Sequence, residues 1–169
     1  MIQSLLISRK YWVFYAAFSL LLEVFALFYQ YYLDYYPCVL CIHVRIILLG
    51  ILIVSITSLI FYSKLVVRLL AHILLILSLI LLTERSYNLL GVERGFIYGD
   101  CSMNSGLPSW FSIDQWFPLV FKIWEPCGYT PEIIFGVTMA ETLIFLSISL
   151  LITAFVALVY QFNALKTGK

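Results

Sequence analysis

Four cysteines carry the most distinctive chemistry this sequence can offer. Two stand in the tetrapeptide Cys38-Val39-Leu40-Cys41, directly after Pro37, and the other two, Cys101 and Cys127, have twenty-five residues between them. A bridge across a two-residue gap adds little as a staple, because disulfide stabilisation grows with the length of the loop it closes. Thiol exchange is the better use for such a pair. Cys41 falls where a long apolar run begins, and the partial positive charge at a helix N-terminus favours a thiolate there. Arg45 follows four residues later, on the same helical face and one turn deeper. A charge at the centre of a membrane helix costs at least about 2.5 kcal/mol, and less near the interface. Arg45 therefore asks for a reason: a thiolate at Cys41, outer headgroups reached by snorkelling, or an ion pair with a carboxylate such as Glu141.

Other chemistries fit poorly. Zinc knuckles pair two closely spaced Cys-X-X-Cys units, which the Cys101 to Cys127 separation does not match, and no histidine lies in that loop, so no metal is expected. His43 and His72 fall at opposite ends of the apolar segments and do not suit one haem iron. There is no G-x-G-x-x-G fingerprint for a nucleotide cofactor, and the ten Lys and Arg never form the basic stripe of a nucleic-acid binder.

The elements that must position these residues lie in a membrane. The chain has 169 residues, 63% hydrophobic and 11% charged, against about 45–50% and about 25% in soluble domains. About 20 apolar residues cross a bilayer as a helix, and four runs qualify: 11–32, 42–62, 65–83 and a stretch within 133–162 whose membrane part should begin near Met139. The first run is too long for a signal peptide, and Tyr29, Tyr31 and Tyr32 stand where a cleavage site needs small residues. The expected fold is all-α, a single membrane domain over 1–169. Its four-helix bundle has a short loop at about 33–41 and a large one at about 84–138. Arg9, Lys10, Lys64, Arg68, Lys166 and Lys169 flank the helices on one face with no acidic residue among them. The positive-inside rule puts that face, with both termini, in the cytoplasm. All four cysteines then fall on the outer, oxidising side, where an even count implies pairs.

Those pairs are either staples or a relay. One at the lipid boundary and one in a loop suit electron transfer by thiol exchange, from a soluble partner to something dissolved in lipid. A quinone meets the second requirement: it takes two electrons and gains from a cation near its developing negative oxygen.

The chain resembles the DsbB family of bacterial disulfide-bond formation proteins over essentially its whole length. The resemblance is carried by Leu22-Glu23 with Ala26 and Gln30, by the 37–42 run followed by Arg45, and by Pro108, Trp110, Asp114, Trp116, Pro118, Val120 and Phe121 ahead of Cys127. It implies an inner-membrane thiol:quinone oxidoreductase with redox-active disulfides Cys38–Cys41 and Cys101–Cys127. A periplasmic thioredoxin-like oxidase of the DsbA type would attack Cys101 and form a mixed disulfide. Cys127 would be freed to exchange with the Cys38/Cys41 pair, and Cys41, stabilised by Arg45, would pass electrons to quinone. Such an oxidase sits near about −120 mV, so the acceptor must lie higher, a demand ubiquinone meets better than menaquinone. Two places depart from the family's best-known members. His43-Val44 stands where they have Tyr-Glu, and residues 84–88 contain no histidine where they have one near the outer end of the third helix. Arg85 and Asn88 are the candidates for that second quinone contact.

Two further features bear on the site. Glu23 lies about 18 Å into the first helix, where it either bonds a polar group at similar depth on the third helix, such as Ser78, or supplies a proton route. Residues 108–124 read as a short amphipathic element in the headgroup region, with Ser112 and Gln115 as a capping box and Pro118 preventing a long helix. Competing readings are a vitamin K epoxide reductase-like enzyme, disfavoured because its Cys-X-X-Cys follows the loop cysteines, and a transporter of reducing equivalents, disfavoured because no cysteine faces the cytoplasm. A stapled, non-enzymatic assembly factor is the third.

Overall fold

Each apolar run becomes a helix because a backbone in hydrocarbon must satisfy its own hydrogen bonds. The computed structural model describes residues 8–98, 106–108, 111–134 and 136–166. Cys101 and Trp110 lie outside these described residues. The long helices are α1 (Arg9–Tyr32), α2 (Val39–Ile60), α3 (Leu65–Glu93) and α6 (Met139–Lys166). Two single-turn helices, α4 (Ile113–Trp116) and α5 (Pro118–Phe121), and a two-stranded antiparallel hairpin of β1 (Glu132–Ile134) and β2 (Val137–Thr138) fill the large connection. Four helices among the described residues are long and apolar enough to cross a membrane. The molecule is an all-α, four-helix, multi-pass membrane protein.

Neighbours in sequence pack as neighbours in space, α1 on α2 and α2 on α3, while α3 also packs on α6. The Tyr15 hydroxyl ties α1 to α6 through the Leu150 carbonyl and Thr153 Oγ1, each at 2.7 Å. Lipid tails are as apolar as leucine, so close packing holds such bundles together. Small buried residues serve that packing, among them Ser55, Ser58, Ala71, Ser147, Ala154 and Ala157. Large apolar side chains such as Val66, Phe145 and Ile152 stay exposed on the outside, where lipid covers them.

Two boundaries differ from expectation, and each difference matters to the site. Helix α2 starts at Val39 rather than Ile42, so Cys41 lies inside its first turn. The run 65–83 is only the membrane part of α3, which continues to Glu93. Polar residues from Glu84 onward end the hydrophobic signal without ending the helix, because helix propensity does not depend on hydropathy. At 1.5 Å per residue the last ten residues add about 15 Å. The helix stops in a Schellman turn: Gly95, at φ 74, donates to Val92 O, and the Phe96 and Ile97 amides both reach Gly91 O. Helix α6 begins at Met139 as expected, on a reciprocal capping box that sequence reading missed. There Thr138 N–H donates to Glu141 Oε2 at 3.1 Å, and Glu141 N–H donates to Thr138 Oγ1 at 3.3 Å. At Ser112, by contrast, the expected capping box is absent, since its side chain makes no cap bond.

The returning chain at Ile97 lies so close over Gly91 that an added Cβ would sit 2.3 Å from Ile97 Cδ1 and 3.0 Å from its Cβ. Overpacking of this kind costs about 1–3 kcal/mol. Gly91→Ala should therefore lower the thermal unfolding midpoint of the purified protein, and adding Ile97→Ala should recover most of the loss.

Candidate redox site

The site forms where α2 begins. Cys38 is its N-cap, and its sulfur accepts the Cys41 N–H at 3.4 Å. Cys41 thus sits in the first turn, with its Sγ 2.9 Å from that of Cys38. Cys38, Cys41 and Cys127 are all thiols in this structure. The hydrogen bond with Cys127 lowers the Cys38 pKa, but contact with Cys41, burial and charge on Cys41 outweigh it and push Cys38 up to about 12. The large loop therefore brings its second cysteine onto Cys38. All three sulfurs belong to one apolar cluster around Ile42, Leu89, Phe121 and Ala140.

Arg45 lies one turn below and is only 4% exposed, so it does not snorkel. Nor does it pair with Glu141, which is held by Arg94 and the Thr138 amide. Its guanidinium instead donates to Gln30 Oε1 at 2.6 Å, Val120 O at 2.7 Å and Ala26 O at 3.1 Å. Two of these acceptors belong to α1 and one to α5. A four-residue helix leaves its last carbonyls without partners, and here Arg45 takes Val120 O while Gln30 Nε2 and the Tyr31 hydroxyl take Leu119 O. Because all three acceptors are neutral, the guanidinium charge stays uncompensated by them near Cys41.

The Glu23 carboxyl is buried and meets no hydrogen-bond partner among the described residues, Ser78 included. Arg85 pairs with Glu84 at 3.1 Å, and Asn88 donates to the same Glu84 at 2.5 Å. Neither lines the cavity described next; α3 contributes Leu89 there instead.

That cavity holds about 910 Å³ of empty space, counting the part that opens outward. Cys41 and Arg45 are in its wall with Val44 and Leu48 of α2. Around them stand Leu22, Phe25, Ala26 and Tyr29 of α1, Met139, Thr142 and Leu143 of α6, and a rim containing Tyr35, Tyr36 and Tyr129. No group of His, Cys, Asp and Glu able to hold a metal occurs among the described residues.

A family model described as "Disulfide bond formation protein DsbB" matches residues 8–157. The chain belongs to the DsbB family. Its relatives named "Disulfide bond formation protein B" include one from Haemophilus influenzae (strain 86-028NP), 30% identical over 81% of this chain and 78% of its own length. Another, from Shewanella sp. (strain ANA-3), is 30% identical over 81% and 79%. A third, from Photorhabdus laumondii, is 30% identical over 94% of both chains. Family membership makes this chain a disulfide-forming oxidoreductase of the inner membrane.

Cys38, Cys41, Arg45 and Cys127, singled out from the sequence, lie together here, but sequence reading missed what fastens them. Gln30 was legible as a partner: Ser19, Glu23 and Gln30 recur on one face of α1 and are all buried. The tyrosine rim was not, since aromatic residues at a membrane boundary usually read as interfacial anchors.

Two outcomes follow for a chain carrying Cys101→Ser that is fully reduced before labelling. Arg45→Met leaves Val120 O and Gln30 without their donor, at about 1–3 kcal/mol per buried group. The loop should then lift, and Cys127 should react at least about tenfold faster with a water-soluble maleimide, since about 1.4 kcal/mol corresponds to tenfold. In the parent, the raised Cys38 pKa keeps that thiol protonated at neutral pH. Its alkylation rate, followed by peptide mass, should rise about tenfold per pH unit up to pH 10 without a plateau, because the thiolate is the nucleophile.

Proposed function

We propose that the chain reoxidises a periplasmic DsbA-type dithiol oxidase and delivers two electrons to a membrane quinone. The observation that carries this reading is the gathering of Cys127, Cys38 and Cys41 beside a cavity that has Cys41 and Arg45 in its wall. In the resting enzyme the bonds are Cys101–Cys127 and Cys38–Cys41. A thiolate of the reduced oxidase attacks Cys101, and Cys127 leaves as the thiolate. Cys127 attacks Cys38, its neighbour, and Cys41 leaves as a thiolate near the Arg45 charge. The oxidase's second thiol resolves the mixed disulfide and releases Cys101, which retakes Cys127 and frees Cys38. The oxidase has then gained a disulfide, and the Cys38/Cys41 pair holds two electrons and two protons.

A quinone, when bound, supplies the acceptor for that electron pair and those protons. The cavity suits such a group: its lining is mostly apolar and aromatic, with Arg45 and Cys41 among its few polar side chains. Arg45 would orient an oxygen there, and burial would exclude water. The basic flanks support placing the cysteines on the periplasmic side and both termini in the cytoplasm.

The test mixes purified protein with a reduced thioredoxin-like oxidase and either ubiquinone or menaquinone, and follows quinone absorbance. Turnover is expected for the parent and its loss for Cys41→Ser, with the helical content of that variant unchanged. No turnover with any combination of partner and quinone would overturn the proposal.

A further inference from the structure

Cys127 reaches Cys38 from a loop, so something must hold the two segments together. Two sets of contacts do so, one on either side of Cys127. Ahead of it, the Trp124 amide donates to the Pro37 carbonyl at 3.1 Å, and the Trp124 ring lies 5.5 Å from that of Tyr36. Behind it, Tyr129 stacks on Tyr35 at 6.2 Å with 28° between the planes and shares a side-chain hydrogen bond with it, and Tyr35 in turn lies 6.0 Å from Tyr29 of α1. Tyr35 is positioned by a reversal at Asp34, which adopts φ 55, and by its own amide donating to Tyr29 O at 3.1 Å. Gly128, at φ 137, is the pivot between Cys127 and Tyr129. Tyr129 is 65% exposed and adds little to any core, so its ordering is not explained by burial.

We propose that Tyr35 and Tyr129 form an aromatic clasp that docks the Cys127 segment on the Cys38 segment and sets the equilibrium of disulfide exchange between them. The proposal rests on the relay described above and makes both tyrosines positioning residues. The clasp must also release, because Cys127 has to return to Cys101 in every cycle. Aromatic stacking suits this, since one ring pair changes an equilibrium constant by only about 2- to 12-fold.

The experiment uses the full chain in nanodiscs with Cys41→Ser and Cys101→Ser, leaving Cys38 and Cys127. In glutathione redox buffers the two thiols lose two electrons and two protons to form Cys38–Cys127, while one glutathione disulfide becomes two glutathiones. The bonded fraction, read by alkylation and mass, gives the effective concentration of one thiol at the other. Adding Tyr35→Ala or Tyr129→Ala should lower it about fivefold at an unchanged thermal midpoint, within the range of one stacked pair, and Tyr35→Phe or Tyr129→Phe, which keep the ring contact but lose the hydroxyl bond, should fall between the parent and alanine. Alanine variants equal to the parent, or phenylalanine variants that fall as far as alanine, would overturn the clasp and leave the relay standing. If the bond fails to form even with both tyrosines present, the relay falls and the clasp with it.

Discussion

The site depends on one buried cation. Arg45 sits at the lipid boundary, where an unpartnered charge would be unstable, and its donors are shared between α1, through Ala26 O and Gln30, and the loop, through Val120 O. That sharing joins three parts of the chain that are far apart in sequence. Helix α2 carries the thiol pair, α1 forms a wall of the cavity, and α5 leads the chain toward Cys127. Neutral groups accept its hydrogen bonds, and its charge acts on both the buried Glu23 carboxyl and Cys41.

Geometry around the sulfurs divides the labour between two cysteines that differ little in sequence. Cys38, the cap residue, faces the loop and meets Cys127, whereas Cys41, in the first helical turn, lines the cavity. The Cys-X-X-Cys spacing thus separates two environments: one sulfur meets the loop and the other is in the cavity wall. Leu89 of the extended α3 and Ala140 at the start of α6 close the apolar cluster behind them.

Much of this was legible in the sequence, for identifiable reasons. The four membrane spans followed from hydropathy, and the start of α6 near Met139 came out correctly. That Cys41 and Arg45 share one face of α2 came from helical spacing alone. The outer end of α3 was missed because Glu84, Arg85 and Asn88 mark the edge of the hydrocarbon, and a helix can continue past it. Ala26 O and Val120 O were missed as Arg45 partners because a carbonyl has no sequence signature and contacts between distant segments leave no local period. The Ser112 capping box failed for a related reason: a four-residue helix cut off by Pro118 has little N-terminal turn to stabilise, so a matching tetrapeptide carries little weight there.

The carbonyl of Leu119 is bound by Gln30 and Tyr31, while its side chain is 73% exposed among the outward-facing Trp116 and Phe117. A single residue thus has its backbone in the polar network around Arg45 and its side chain in the surrounding amphiphile. Bilayer thickness, headgroup crowding or replacement of lipid by detergent can therefore act on the cavity wall one peptide unit away from Val120 O. Whatever covers the exposed face of Leu119 is in that sense a structural component of the site, one peptide unit from the carbonyl that holds Arg45.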